Sequence, residues 1–132
     1  MKKNNILITG GSVRIGREIA LKIACNLNNI VIHYNKSKSQ ALNLKKSIEE
    51  LGSTCALIKW DLSKKRNVEN LLKQSGKFFG PINYLINNAS VFENDNISSF
   101  TLNSWDKHMN VNLYSPIKLS SDLAKQLPSK SQ

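Results

Sequence analysis

The sequence contains no long apolar stretch, since its longest hydrophobic runs fall far short of the roughly 20 residues that a membrane-spanning helix requires. The lysine-rich start resembles the beginning of a secretory signal peptide, but the apolar run behind it breaks at Gly10-Gly11. A secretory core needs about 7–15 apolar residues. We therefore expect no membrane partner and a protein that stays in the cytoplasm.

Cysteine is scarce, with Cys25 and Cys55 as its two representatives. Their separation does not match the spacing of metal ligands, and each lies in an apolar context. Buried thiols are therefore expected in preference to a disulfide, and no metal site is expected.

Acidic residues are also few, with nine against nineteen basic residues, which leaves a formal net charge of +10. Such an excess can attract nucleic acid, a membrane surface or an anionic small ligand. The excess is almost entirely lysine, because Arg14, Arg17 and Arg66 are the only arginines, and no basic patch is interleaved with aromatic residues. We favour a solvated basic surface and expect no nucleic-acid partner.

What the sequence does contain is an alternation of short apolar runs with segments of helical periodicity. The apolar runs predict strands at 6–9, 30–34, 56–60 and 84–86. The periodic segments predict helices at 15–27, at 39–51, after an N-cap at Ser63, and from Thr101 or Ser104 to Gln126. Gly52 is the expected C-terminal cap of the second helix.

This alternation predicts the fold class. Strands separated by single helices need crossover connections, so the sheet should be parallel. Helices on both faces would explain why the strands are apolar throughout. We expect an α/β fold of the Rossmann type, a doubly wound parallel sheet. Residues 1–132 would form a single partial domain that ends after the helix following the fourth strand.

A glycine-rich segment stands directly between the first predicted strand and the first predicted helix. It reads Thr9-Gly10-Gly11-Ser12-Val13-Arg14-Ile15-Gly16. Glycines permit a tight turn there, and the start of the helix offers unpaired N–H groups and the positive end of its dipole to a pyrophosphate. At the opening of a βαβ unit this pattern indicates a dinucleotide site. The alternative is a glycine turn that binds no ligand.

Four motifs occur in the order and spacing of the short-chain dehydrogenase/reductase family, which the chain resembles over essentially its whole length. They are Thr-Gly-x-x-x-Arg-x-Gly at 9–16, Asp61-Leu62, Asn87-Asn88-Ala89-Ser90 and Val111-Asn112-Leu113. The chain looks most similar to the pteridine reductase branch, in which an arginine replaces the second glycine of the turn, as Arg14 does here. The segments 33–37 and 88–90 are also similar to that branch. The resemblance implies the strand order 3-2-1-4.

The resemblance also implies a set of cofactor contacts. In the turn they are Gly10, Ser12, Arg14, Ile15 and Gly16. Asp61 and Leu62 would contact the adenine. The segment that ends the fourth strand would pass beside the cofactor ribose through Asn88, Ala89 and Ser90.

Three further residues follow these motifs. Phe92 lies where the pteridine branch stacks an aromatic ring against its pterin, and the alternative is a loop aromatic that covers the edge of the core. Asn112 matches the helix asparagine that holds a water in the family's proton relay, and is the one candidate catalytic residue. His108 has no partner that the sequence identifies, so a solvated side chain is expected.

The end of the second strand indicates which dinucleotide fits. Folds selective for NAD usually place an acidic residue there, to bind the ribose 2′-hydroxyl. This chain has no carboxylate between that strand and Glu49. A carboxylate would repel a 2′-phosphate, whereas cationic and hydroxyl groups can donate to it. The expected contacts are His33, Tyr34, Asn35, Lys36 and Ser37. NADP(H) is therefore the expected cofactor.

The resemblance implies catalytic residues that the chain does not contain. Family members use a serine, or an aspartate in the pteridine branch, with a Tyr-x-x-x-Lys pair well downstream of Asn112, and the sequence ends before that region. Residues 34–38 and 114–118 match the bare Tyr-x-x-x-Lys pattern in the wrong context, so we expect both to be coincidences.

The expected function is that of an NADP(H)-dependent reductase of a small carbonyl or pterin substrate, inactive on its own. The chain would then be a fragment, half of a split enzyme or the product of a disrupted gene. The alternative is a non-catalytic module that binds a dinucleotide or pairs with another chain. Its partner would be a second copy or a complementary C-terminal chain.

Overall fold

The structure, a computed structural model, describes residues 1–129, and its centre is a sheet of four strands with helices on both faces. The strands are β1 (Asn4–Ile8), β2 (Asn28–Tyr34), β3 (Thr54–Lys59) and β4 (Tyr84–Ile86). The helices are α1 (Arg14–Ile23), α2 (Lys38–Glu50), α3 (Lys65–Phe79), α4 (Leu102–Met109) and α5 (Ser115–Gln126). A π-helical segment, Asn110–Tyr114, joins α4 to α5.

The four strands are parallel and lie in the order β3-β2-β1-β4, so the predicted fold class and strand order are confirmed. In the central ladder Ile6 of β1 is in register with Ile30 of β2 on one side and with Tyr84 of β4 on the other. Because all strands point the same way, their carboxyl ends meet at one edge of the sheet. The loops that carry the predicted site begin at that edge.

The core consists of two apolar layers, one on each face of the sheet. Successive residues of a strand point to opposite faces. Ile6 and Ile8 therefore pack with Leu44 of α2 on the side covered by α1 and α2. Leu7 packs with Leu71 and Leu119 on the side covered by α3 and α5. Burial on both faces is the reason that the central positions of these strands are apolar without alternation.

The first two strands begin two residues earlier than their apolar runs predict. Asn4 Nδ2 donates to Asn28 Oδ1 over 2.9 Å, and Asn29 Nδ2 donates to Asn5 Oδ1 over 2.8 Å. The side-chain amides satisfy one another across β1 and β2, so polar residues extend the ladder at its amino end. An apolar pattern cannot reveal that extension.

Helix starts show one confirmed and one wrong prediction. The Thr101 hydroxyl accepts a hydrogen bond from the Ser104 backbone N–H over 3.1 Å and caps α4, so Thr101 is the correct one of the two predicted starts. The single helix predicted from there to Gln126 is interrupted by the π-helical segment. Ser63 does not cap α3, because Lys64 occupies the N-cap position and the Ser63 hydroxyl donates to Asp61 instead.

The predictions for the ends and buried faces of the helices are also partly confirmed and partly wrong. Gly52 follows α2 with φ of +94°, in agreement with its predicted capping role. The first helix ends at Ile23 rather than at residue 27. Ile15 does not join the buried stripe of that helix, since 71% of its surface is exposed.

Both cysteines are free thiols, in line with the prediction. Cys55 is buried in the layer beneath α1 and α2, and burial raises its pKa to about 12. Cys25 is only partly buried. Within residues 1–129, no helix has the length and apolar character needed to cross a membrane.

Candidate functional site

The turn between β1 and α1 has room for glycine and for nothing larger at two positions. Gly10 has a φ of +60°, and a Cβ added to it would lie 2.8 Å from the Cα of Ala89. A Cβ added to Gly16 would lie 2.5 Å from both the Asn88 Nδ2 and the Gly10 carbonyl oxygen. These close approaches bring the turn, the start of α1 and the end of β4 into one compact unit.

The start of α1 offers unpaired backbone N–H groups. Among residues 1–129, no side chain caps this helix, whose N-cap is Val13. The first N–H groups of a helix have no partner within the helix, and they carry the positive end of its dipole. The Arg17 N–H donates to the Val13 carbonyl over 3.2 Å. The N–H groups of the preceding residues are therefore available to an anion.

His33, at the end of β2, supports this turn from below. The Gly10 N–H donates to His33 Nδ1 over 2.9 Å, and His33 Nε2 lies 2.8 Å from the Trp60 carbonyl oxygen. Nδ1 must therefore be the acceptor and Nε2 must carry the proton. The Gly11 N–H also donates to the His33 carbonyl over 3.0 Å.

These contacts correct the predicted role of His33. Its side chain is 3% exposed, and burial lowers its pKa more than the Trp60 carbonyl and the Asp61 charge raise it. With both ring nitrogens bound inside the protein, His33 has no donor left for a phosphate. It positions the glycine turn instead.

The loop that follows β2 divides into buried and exposed residues. Tyr34 is buried, with 8% of its surface exposed, so its ring is part of the core. Ser37 is half-buried, and its hydroxyl lies 2.5 Å from the hydroxyl of buried Ser12 in the glycine turn. Asn35 and Lys36 are exposed. The two loops are therefore joined by a hydroxyl pair, with the exposed Lys36 next to Ser37.

Arg14 is the second exposed cation at this edge and has an unusual backbone. It is the one non-glycine residue with a positive φ within residues 1–129, at 52°. No salt bridge in that part of the chain includes Arg14 or Lys36. Both cations are therefore free to meet an anionic ligand.

Asp61 and Leu62 follow β3, and their side chains lie in different surroundings. Asp61 Oδ1 accepts hydrogen bonds from the Ser63 N–H at 3.0 Å and from its hydroxyl at 2.7 Å. Partial burial raises the pKa of Asp61, but the Ser63 hydrogen bonds and the charges of Lys64 and Lys107 outweigh burial and lower it overall. Asp61 is thus a fixed carboxylate. The Leu62 side chain is 3% exposed and belongs to the core.

The segment after β4 is bound to the glycine turn through Thr9 and Asn88. The Thr9 hydroxyl accepts hydrogen bonds from the N–H groups of Asn88 and Ala89, each at 3.1 Å. Asn88 Nδ2 donates to the carbonyl oxygens of Thr9 at 3.1 Å and Gly10 at 2.9 Å. Ser90, next in the chain, is exposed.

The following residues run along α4 and the π-helical segment. The Asn112 side chain accepts a hydrogen bond from the Val91 N–H and donates to the Val91 carbonyl, each over 2.8 Å. Both ends of the predicted catalytic amide are therefore used to hold the loop. Phe92, the predicted substrate contact, is 86% exposed.

The contacts of His108 show that the expectation of a solvated side chain is wrong. It is partly buried, its Nε2 accepts the Glu93 N–H at 2.9 Å, and its Nδ1 lies 2.8 Å from the Ser104 carbonyl oxygen. The side chain is therefore bound on both nitrogens rather than solvated.

In the Tyr-x-x-x-Lys pattern at 114–118, the tyrosine and the lysine side chains each contact a carboxylate. The Tyr114 hydroxyl lies 3.3 Å from Glu69 Oε1 of α3, and Lys118 pairs with Asp122 over 2.5 Å. Desolvation and the Glu69 carboxylate raise the pKa of Tyr114, whereas a proton donor beside a catalytic lysine needs a lowered pKa. The other pattern, at 34–38, begins with the buried Tyr34.

Open cavities lie elsewhere on the surface. One of about 600 Å³ runs along the outer face of α1, from Arg14 to Ile23, and is lined by that helix alone. Another, of about 420 Å³, lies between α3 and α5. Neither is enclosed by the strand ends where ligands bind open α/β sheets. The carboxyl edge of the sheet remains the candidate site.

Sequence reasoning missed three residues of this site. Thr9, Trp60 and His108 act through hydrogen bonds to segments distant in the chain, and only the position of Thr9 directly before the glycines gave a signal.

The chain belongs to the short chain dehydrogenase family, whose model matches residues 4–132.

Solved structures of similar proteins agree with this assignment. FolM alternative dihydrofolate reductase 1 from Brucella canis, complexed with NADP, is 33% identical with a TM-score of 0.84. A short chain dehydrogenase from Burkholderia cenocepacia J2315, also complexed with NADP, is 32% identical with a TM-score of 0.87. A blue fluorescent protein from a metagenomic library, in complex with NADPH, is 26% identical with a TM-score of 0.86.

These structures match nearly the whole of this chain but only part of their own length. Each comparison covers 96% of this chain and 50–52% of the other. The chain therefore spans about half the length of these relatives.

Proposed function

We propose that this chain binds NADP(H) and supplies the nucleotide-binding half of a short-chain reductase that acts on a small carbonyl or pterin compound. The observation that carries the proposal is the glycine turn. Gly10 and Gly16 stand where any Cβ would strike Ala89 or Asn88, beside a helix start that no side chain in residues 1–129 caps. Such a turn lets a diphosphate approach the backbone closely.

The diphosphate would be held mainly by the backbone. The N–H groups of Arg14, Ile15 and Gly16 open α1, and Arg14 adds a free guanidinium. Ile15 contributes its N–H, and its exposed side chain could cover one face of the ligand. His33 contributes indirectly, by fixing the Gly10 N–H below the turn.

The adenosine side would select NADP(H) over NAD(H). Lys36 is exposed and unpaired within residues 1–129, and the hydroxyl pair of Ser12 and Ser37 lies beside it. No carboxylate at the end of β2 repels a 2′-phosphate. Asp61, held ionised by Ser63, would accept from the adenine amino group. The NADP complexes of two relatives support this assignment.

The nicotinamide side would lie beyond β4. Asn88, Ala89 and Ser90 would pass beside the ribose, since Asn88 already bonds to the glycine turn. Phe92 exposes its ring on the same segment and would stack on a flat substrate. The FolM relative, an alternative dihydrofolate reductase, supports a pterin-like substrate.

A bound nicotinamide supplies the hydride in this chemistry. The residues of this chain would bind and orient it so that the hydride reaches the carbonyl carbon, but none described here offers the proton that the carbonyl oxygen then needs. Tyr114 is held by Glu69, and the Asn112 side chain is held by Val91. We therefore propose binding without turnover for residues 1–132 alone.

Isothermal titration calorimetry tests the proposal directly. The chain should bind NADPH more tightly than NADH. Lys36→Ala should weaken NADPH binding about tenfold, the loss of one charge-assisted hydrogen bond, and leave NADH binding unchanged. Lys36→Arg, which keeps the charge, is the matched control and should retain the preference. Equal affinities for both nucleotides, or no heat with either, would refute the proposal.

A second candidate function is chain pairing at the sheet edge. Within residues 1–129, β4 pairs with β1 on one side and with no strand on the other, and Tyr84 is 54% exposed. An unpaired edge is a template for another strand. Sedimentation should then show a dimer, or a complex with an added C-terminal chain, that Tyr84→Lys weakens. A monomer at all concentrations and with that chain present argues against pairing.

A further inference from the structure

The segment from Val91 to Asp95, here termed the strap, is fastened to the helix beside it at every second residue. Val91 pairs with Asn112 through two hydrogen bonds of 2.8 Å. The Glu93 N–H donates to His108 Nε2 over 2.9 Å. The Ser104 hydroxyl donates to Asp95 Oδ2 over 2.6 Å.

The spacing of these contacts follows from the two backbones. The strap advances two residues for each contact while the helix recedes four residues, from 112 to 108 to 104. Two residues of an extended chain would cover about 6.6 Å and four residues of an α-helix about 6 Å, so contacts at these two intervals can stay in step. Residues 91, 93 and 95 therefore bond to the helix. Phe92, between two bonded positions, is left 86% exposed.

His108 is the middle contact, and its proton is placed by its partners. Nδ1 lies 2.8 Å from the Ser104 carbonyl oxygen, which can only accept, so Nδ1 carries the hydrogen. Nε2 is then an unprotonated acceptor for the Glu93 N–H. The contact exists only while the ring is neutral.

We propose that His108 is a positioning residue: by accepting the Glu93 N–H it fixes the register of the strap and thereby the place of the Phe92 ring at the substrate side of the site. That this is the substrate side rests on the proposed function. A protonated His108 would set an N–H against the Glu93 N–H, and this contact would open. Phe92 would then lose one of the two fastenings that flank it.

Several charges face this contact. From the strap, the Glu93 carboxylate pairs with Lys107 and the Asp95 carboxylate accepts from Ser104. From the loop after β2, Lys36 lies close enough to help lower the pKa of Glu93, after the larger effect of the Lys107 hydrogen bond. Lys107 and Ser104 already bind the two carboxylates. The contact that a proton at Nε2 would remove is therefore the hydrogen bond from the Glu93 N–H to the neutral His108 ring.

Fluorine NMR of the chain labelled with 4-fluorophenylalanine tests the proposal. The sequence has four phenylalanines, and the Phe92 signal is the one that disappears in Phe92→Leu. The position of this signal in the native sequence is the reference for the variants. His108→Gln can still accept the Glu93 N–H through its amide oxygen, so its Phe92 signal should stay at the native position.

His108→Leu removes the acceptor, so its Phe92 signal should be displaced from the native position. Exchange of the Glu93 amide hydrogen should become about tenfold faster, as expected for the loss of one hydrogen bond. If His108→Leu does not fold, exchange of the Glu93 amide in His108→Gln decides alone, and it should match the native rate. A Phe92 signal that stays at the native position in His108→Leu, or a Glu93 amide that exchanges about tenfold faster in His108→Gln, would overturn the proposal.

These spectra are recorded without nucleotide, and NADPH is then titrated into the same samples. The titration tests the proposed function separately. A Phe92 signal that depends on His108 in a chain that binds no NADPH would leave the strap assignment intact and refute the nucleotide site. Binding of NADPH together with a Phe92 signal that is independent of His108 would support the nucleotide site and refute the strap assignment.

Discussion

The backbone N–H of Gly10 donates to Nδ1 of His33 over 2.9 Å, so a buried imidazole at the end of one strand holds the glycine turn that follows its neighbour. The other ring nitrogen is bound to the Trp60 carbonyl after β3. One side chain thus connects the ends of β1, β2 and β3. The geometry of the turn depends on this ring as well as on its own glycines.

Replacing His33 by leucine should destabilise the chain by about 2–4 kcal/mol, because a buried N–H and a buried carbonyl each lose their partner. Urea unfolding measures the change. Lys46→Ala, on the exposed side of α2, is the control and should change stability by no more than about 0.5 kcal/mol. A His33→Leu chain as stable as the control would show that the bridge contributes nothing.

The same residue should make stability depend on pH. Burial lowers the pKa of His33 below 6.5, its ordinary value, so the folded state favours the neutral ring. Above that value neither state binds the proton and stability is complete. Below it the unfolded chain takes up a proton that the folded chain does not, until the lowered pKa is reached. The free energy of unfolding should therefore decrease as the pH is lowered below about 6.5, by at most about 1.4 kcal/mol per pH unit.

The check is to repeat urea unfolding across this interval with His33→Gln, which cannot titrate. The difference between the two chains should shrink as the pH falls. Parallel curves for the native chain and the variant would rule out His33 as the cause.

Gly16→Ala should abolish NADPH binding. Its new Cβ would lie 2.5 Å from the Gly10 carbonyl oxygen and from Asn88 Nδ2, so the turn must shift. Gly52→Ala is the matched control, because Gly52 has a φ of +94° but open space around its Cβ position, with no atom nearer than 3.7 Å. It should cost stability, about 1 kcal/mol, and leave affinity unchanged. Calorimetric titration of both variants with NADPH, beside their melting curves, separates the two effects.

Gly76→Ala should stabilise the protein by about 0.5–1 kcal/mol, since glycine within a helix is entropically costly. Gly76 lies in α3, and its added Cβ would meet Pro81 at 3.6 Å, an ordinary contact. Thermal unfolding with and without the substitution measures the gain. A lower melting temperature would mean that the turn into β4 cannot accept even a methyl group.

The sequence allowed the strands of the sheet to be predicted because the signals for them are local. Apolar runs such as 30–34 mark strands buried on both faces, and the glycines at 10 and 16 stand where close approaches later prove to require them. Family resemblance added the strand order, which the structure confirms.

The remaining features depend on contacts between distant segments. His33 pairs with a carbonyl 27 positions away, and nothing in its neighbours distinguishes a buried bridge from an exposed donor. The strap depends on a match between an extended segment and a helix, which no periodicity within either one reveals. The polar starts of β1 and β2 escaped prediction because Asn4 and Asn28 satisfy each other.

The shortness of β4 has a practical consequence for anyone who measures this site. The strand contributes three residues to its ladder with β1, so much of its attachment comes from the bonds of Thr9 and Asn88 beyond it. Those are the same bonds that shape the phosphate-facing turn. Ligand affinity and conformational integrity are inseparable at these two positions, and a weakened binding isotherm there has no meaning without a denaturation profile of the same sample.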